Sequence, residues 1–177
     1  MDLRIQKTKT SIINAFIELR ATKPIEKITI TELSKLAMIN KATFYKHYRD
    51  IYDLSESLED EIIASILKSV PEPEKLLSDP YDLSKDIFRA TLSQSQLIHT
   101  LFSGSRESYL IQKLDKQIKE VLFKKCPQYQ NDLELKLQLT VLIQGGFHAF
   151  LEHGRIEQDR AIDILSRISE CVIKNFK

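Results

Sequence analysis

The sequence predicts an all-α protein, and three observations carry that expectation. Apolar residues recur at three- and four-residue spacing along most of the chain. Leu, Ile, Lys, Glu and Gln dominate, against only 4 Gly and 5 Pro in 177 residues. Short polar residues stand where helix N-caps belong. With 42% hydrophobic and 29% charged residues, the chain has an ordinary globular composition and enough length to bury a sizeable core.

Residues 3–20 form the first helix, because Ile5, Ile12, Phe16 and Leu19 fall at helical spacing with Ala15 beside them. It stops before Pro24, which disfavours helix in the residue preceding it. Thr29 and Glu32 have the spacing of a capping box, with Thr31 a competing N-cap, and Leu33, Leu36 and Ala37 line one face of the short helix that follows. Asn40 caps a second short helix over 41–47, on which Phe44 and Tyr48 share a face. Two short helices joined by three or four residues, after a longer one, make a helix-turn-helix. A connecting helix over 51–69 carries the stripe Leu54, Leu58, Ile62 and Ile66.

Residues 71–84 hold three of the five prolines and mark the place where the organisation changes. Beyond them, helices are expected over 81–93, 96–102, 107–124, 128–153 and 158–176, punctuated by Gly104, Pro127 and Gly154. The run LELKLQLTVLI alternates apolar and polar residues from Leu133 to Ile143, as a strand would. Its residues are nonetheless helix formers, and no turn signal interrupts them, so it reads as a helix apolar on more than one face. The last helix carries Ile162, Leu165, Ile168, Val172 and Phe176 in one stripe, with Ile164, Cys171 and Ile173 beside it.

Two consecutive helices with surplus apolar surface predict a homodimer through a four-helix bundle. The residues expected at that interface are Leu139, Ile143, Phe147, Ile164, Ile168 and Cys171, with Gly145 and Gly146 allowing close backbone approach. The chain thus divides into a head over 1–50 and a helical body over 70–177, joined by the helix at about 51–69.

Charge separates the same regions. Up to Tyr52 there are ten Lys and Arg against five Asp and Glu; beyond it, sixteen against twenty. A head of +5 on a body of −4 points to a polyanionic partner for the head. The opening MDLRIQKTKTSII lacks the apolar run of a signal peptide, and no segment is long and apolar enough to span a membrane. Cys126 and Cys171 have no CxxC partner and are expected as reduced thiols, so the expected location is cytoplasmic.

Enzymatic signatures are missing. There is no GxSxG, no Walker loop, no glycine-rich dinucleotide turn and no CxxC, so no catalytic residue and no cofactor is expected. His148 and Glu152 stand four apart with His153 beside them, but without an HExxH pattern no metal site is expected.

The stretch ITITELSKLAMINKATFYKHYRDIYDL resembles the DNA-binding head of the TetR family of transcriptional regulators. The positions that match its pattern are Thr29, Leu33, Ala37, Asn40, Thr43, Phe44, Tyr45, His47, Tyr48 and Leu54. More weakly, LIQGGFHAFLEHGR resembles the C-terminal segment of many such proteins. Two positions depart from the pattern: Met38 stands where a glycine is usual, and Ile51 where a phosphate-touching lysine is usual, with Arg49 two positions earlier able to supply that charge.

The resemblance implies a fold of about nine helices, a homodimer joined through the last two helices, and a sequence-specific repressor that binds a palindromic operator in bacterial double-stranded DNA. It implies that a small-molecule effector bound in the C-terminal domain releases the DNA. Lys41 and Thr43 are then expected at base edges, and Lys46 at base or phosphate. Tyr45 and His47 resemble the family's phosphate-contacting pair, Thr29 and Thr31 anchor phosphate at a helix N-terminus, and Asn40, Ala42 and Arg49 complete the interface. Phe44 and Tyr48 are expected in the core. The effector pocket implied in the body is lined by Phe88, Leu92, His99, Phe102, Tyr109, Gln144, Phe147 and His148. The alternative is a coactivator or DNA-bound adaptor of the same fold that answers to a protein partner.

Overall fold

A computed structural model describes residues 3–69, 72–103, 106–154 and 156–175, and every regular element among them is helical, with no strand. The elements are α1 (Leu3–Arg20), a 3-10 turn (Ile25–Lys27), α2 (Ile30–Leu36), α3 (Lys41–Tyr45), α4 (Ile51–Lys68), α5 (Lys75–Ser78), α6 (Pro80–Ser93), α7 (Ser95–Leu101), α8 (Glu107–Lys125), a 3-10 turn (Pro127–Tyr129), α9 (Leu133–Thr140), a π turn (Val141–Gly145), α10 (Gly146–His153) and α11 (Gln158–Asn175). Counting α9, the π turn and α10 as one rod and setting aside the single turn α5, the described residues form nine helices. Gly104, Phe176 and Pro71, given above as a break, a helix end and a hinge proline, lie outside the described residues.

The chain divides into two compact units, one of residues 1–62 with 96–106, the other of 63–95 with 107–177. In the first, α1 packs on α2 and α2 on α3. Its core is built from Ile12, Phe16, Leu33, Phe44, Leu54 and Leu101, all fully buried. Ile5 and Leu36, expected on inward faces, are exposed: Ile5 lies in line with Ile12 but two turns nearer the start of α1, ahead of its first buried residue, and Leu36 lies at the edge of the α2 stripe of Leu33, Ser34 and Ala37.

Local chemistry explains the elements of this unit. The Thr29 hydroxyl accepts from the Glu32 amide at 3.2 Å, so Thr29 rather than Thr31 caps α2. The second arm of the capping box is replaced, because the Glu32 carboxylate takes Lys23 Nζ at 2.6 Å. At the other end of α2, Met38 N–H donates to the Lys35 carbonyl at 3.2 Å and Ile39 N–H to the Ser34 carbonyl at 2.9 Å. That is a Schellman arrangement, and it holds Met38 at φ 55°. Asn40 Oδ1 accepts from the Thr43 amide at 2.7 Å and from its hydroxyl at 2.9 Å, starting α3. α3 ends at Tyr45, two residues short of the expected 47. The His47 and Tyr48 amides both bond to the Phe44 carbonyl, tightening the last turn.

Two arginines, Arg20 buried and Arg106 half-buried, tie the returning segment 96–106 into this unit. Arg106 grips the fully buried Glu59 of α4 with two bonds, Nε at 2.7 Å and Nη2 at 2.8 Å, and Ser55 donates to the same carboxylate at 2.8 Å. Arg20, at the end of α1, donates from Nη2 to the Leu101 carbonyl and the Ser103 hydroxyl.

In the second unit, α11 packs most extensively on α6. Tyr81 on α6 donates to Asp163 on α11 at 2.7 Å, and the Phe88 ring lies 5.4 Å from Phe147 and 5.1 Å from Phe150. Leu110, Leu114 and Leu122 bury one face of α8 completely. The strand-like alternation from Leu133 is helical, as expected, but the rod begins at Leu133 under an Asp132 cap, not at 128. Residues two apart on a helix differ by about 200°. Alternation therefore sends Leu135, Leu139 and Ile143 inward and Leu133, Leu137 and Val141 to the opposite, exposed side.

Three expectations are corrected here. Leu139, Ile143 and Phe147, expected at a subunit interface, are buried inside their own unit and have no surface to offer. Gly146 also faces inward, where an added Cβ would lie 3.4 Å from Phe88 Cζ, whereas nothing lies within 4 Å of one at Gly145. On α11 the buried face is Ile162, Ser166, Ser169 and Ile173, not the all-apolar stripe. Small serines let α11 approach α6 closely, which turns Ile164, Ile168 and Cys171 outward.

Candidate nucleic-acid interface

The capped pair α2–α3 positions the expected DNA-binding residues. Thr29, Thr31, Asn40, Lys41, Ala42, Tyr45, Lys46 and Arg49 are exposed, and Thr43 and His47 are half-buried. Phe44 and Tyr48 point the other way, and their rings meet 5.9 Å apart. Burial pushes the Tyr48 phenol up to about 12, with Glu61 and Asp53 adding to the effect, so Tyr48 is a neutral core group. Tyr45 packs edge-on against Phe44 at 5.7 Å while more than half of its surface stays open. Its ring is thus steadied from beneath with its face accessible. Thr43 spends its hydroxyl on Asn40, which leaves the methyl as its outward chemistry.

Arg49 is not a free cation. Its Nε and Nη2 hold Asp53 Oδ1 at 3.0 and 2.7 Å, and its own amide donates to Asp53 Oδ2 at 2.9 Å. The amide bond first, and then the guanidinium, hold the Asp53 carboxyl below its usual value, and Asp53 in turn raises Arg49. Asp50 caps α4 by accepting from the Asp53 amide at 2.8 Å. Sequence reasoning missed Asp53, although the i,i+4 spacing of Arg49 and Asp53 was the signal. It also passed over Met38 as a surface feature: at 94% exposure its thioether stands fully out beside α3.

The expected body pocket is not assembled as a set. Phe88 and Phe147 meet, and Leu92 is half-buried, but Tyr109, Gln144 and His148 are exposed. His99 and Phe102 belong to the unit that contains the head. The space beside Phe88 and Phe147, lined also by Ile118, Leu139 and Ile143, amounts to about 30 Å³, room for one water. His148 and His153 each approach Glu152, at 3.6 and 3.7 Å, and all three are exposed. Among the described residues no group of three His, Cys, Asp or Glu is placed to hold a metal, and no helix is long and apolar enough to cross a membrane.

No known family's sequence profile matches this chain, and no curated protein matches it by sequence. Solved structures do. A TetR transcriptional regulator from Rhodococcus sp. RHA1 superimposes with a TM-score of 0.57 at 17% identity, over 97% of this chain and 98% of its own. A protein assigned to the TetR family from Shewanella sp. PV-4 gives 0.62 at 14%, over 96% and 97%. A TetR-family repressor from a Dietzia species gives 0.50 at 16%, over 93% and 97%. At such identities the likeness is one of fold: over nearly its whole length, this chain has the all-α fold of TetR-family regulators.

Proposed function

We propose that this chain is a sequence-specific DNA-binding transcription regulator acting as a homodimeric repressor on a palindromic operator. The observation that carries the reading is the capped α3, which turns Lys41, Ala42, Tyr45 and Lys46 outward and Phe44 and Tyr48 inward. A short helix held at its N-terminus by Asn40 and from below by two aromatic rings suits docking into a major groove. Lys41 reaches guanine acceptors, the Thr43 methyl meets thymine methyls, and Tyr45, His47, Thr29 and Thr31 bond to phosphates.

In this reading an effector displaces α4 and changes the separation of two recognition helices, which must match half-sites ~34 Å apart. Release by a small ligand inside the body requires the space near Phe88 to widen from about 30 Å³ towards the several hundred that ligand sites occupy. That small volume, with Leu133, Leu137 and Val141 exposed on the rod, favours a second reading in which a protein partner sets the regulatory state. Selection from random duplex DNA at two salt concentrations tests the main proposal. An enriched palindrome whose affinity falls with salt is the expected result, and binding without an enriched motif would remove sequence specificity from the proposal.

A further inference from the structure

Met38 combines two features that a folded chain ordinarily avoids. Among the described residues it is the one non-glycine residue with a left-handed backbone, at φ 55°. It is also the most exposed of the large apolar residues, at 94%. The strained backbone therefore brings no packing within the chain, and it falls in the turn between α2 and α3. We propose that the Met38 side chain packs against deoxyribose rings of the DNA backbone, at the edge of the groove that α3 enters. The inference rests on the reading of α3 as a DNA-docking helix and adds to it a contact with the sugars.

Place and charge choose this partner. Met38 stands two residues ahead of Asn40, the cap of α3. When the first turn of a recognition helix lies in the major groove, the residues just ahead of its cap lie where the sugar-phosphate strand passes. The flanking cations Lys35 and Lys41 are both exposed. Among the described residues neither holds a carboxylate, whereas Lys9, Lys23 and Arg49 of the same unit each do.

An apolar side chain between two such cations suits a surface on which anions alternate with hydrocarbon. A DNA strand is such a surface, with phosphates for the lysines and the C–H faces of deoxyribose for the thioether. A purely apolar protein surface would instead desolvate both ammonium groups without partners. The unbranched, polarizable methionine adapts its shape to the sugars. Deoxyribose carries no base identity, so Met38 contributes to affinity and register and not to base choice.

Methionine occurs only as Met1 and Met38, so methyl-labelled methionine reports on this residue directly. The full-length protein is mixed at low salt with one duplex drawn from the selection pool. The Met38 methyl signal is expected to shift and to show nuclear Overhauser contacts with deoxyribose protons. Met38→Gly and Met38→Asn both suit a left-handed turn, so both should fold at least as stably as the parent. Each should bind DNA about tenfold more weakly, with unchanged base preference and an unchanged salt slope. Parental affinity in both variants, or a Met38 methyl signal that DNA leaves unmoved, would overturn the contact while leaving the role of α3 intact. A loss confined to Met38→Gly would trace to a looser turn and would overturn it as well. Contacts with thymine methyls and a changed base preference would overturn the assignment to sugar. A parent protein that binds no duplex would overturn the reading of α3 and this inference together.

Discussion

Met38 is the residue whose backbone and side chain pull in opposite directions. The Schellman turn needs a left-handed residue, and a side chain at φ 55° costs roughly 1–2 kcal/mol, which glycine avoids while giving back part through its greater chain entropy. Because the thioether is exposed, Met38→Gly forfeits no core packing and should stabilise the protein by about 0.5–1 kcal/mol in urea unfolding. A loss of stability would mean that the methionine makes contacts on the protein worth more than the strain.

At Arg49 the conflict is electrostatic. Asp53 holds the guanidinium and also carries its own negative charge, so Asp53→Asn should raise DNA affinity and steepen its salt dependence by about one counterion as Arg49 becomes available to phosphate. Unchanged salt dependence would place Arg49 off the DNA. The sign of the pH effect follows from the lowered Asp53 carboxyl. Its contribution to stability is complete above the ordinary value of 3.8 and disappears as pH falls through the lower folded value. Acid unfolding of Asp53→Asn should lack that component.

Among the elements, α3 depends most on a single side chain. Five residues cannot sustain a helix on propensity, so the two bonds accepted by Asn40 and the burial of Phe44 hold it. Asn40→Ala should cost about 0.5–2 kcal/mol and weaken DNA binding beyond the loss of one contact, measured by unfolding and by titration of the selected operator. Caps of this kind were legible in the sequence, because Thr29 and Asn40 act on amides three residues away. The alternation from Leu133 was legible as helix, but which of its two apolar sets faces the core was not, since both sets are leucine-rich and only tertiary packing chooses. The return of 96–106 to the first unit had no local signal at all. It rests on Glu59 and Arg106, which lie 47 residues apart, and on Arg20, whose partners there are a carbonyl and a hydroxyl. Glu59→Ala removes the fully buried partner of the half-buried Arg106 guanidinium and should cost about 3 kcal/mol in urea unfolding, far more than removal of any surface ion pair of this unit.

For the whole molecule, the question is what the outward sets of apolar residues do. Leu133, Leu137 and Val141 follow one another at four-residue spacing, each more than half exposed, on the far side of the rod from Leu135, Leu139 and Ile143. Ile164, Ile168 and Cys171 are turned outward on α11. The apolar sets assigned inward and outward give opposite expectations for substitution, and that contrast makes the proposed dimer testable. Leu139→Ala removes buried volume and should cost about 2–5 kcal/mol without changing the association state of the folded protein. The pair Leu137→Glu and Val141→Glu changes only exposed positions, so it should leave unfolding of the isolated chain nearly unchanged while abolishing the dimer in sedimentation equilibrium. Loss of the dimer should also convert operator binding from one concerted step to weak, independent half-site binding. If the double variant stays dimeric and Ile168→Glu separates the subunits, α11 alone carries the contact, and the rod's leucines become the surface on which a protein partner would act.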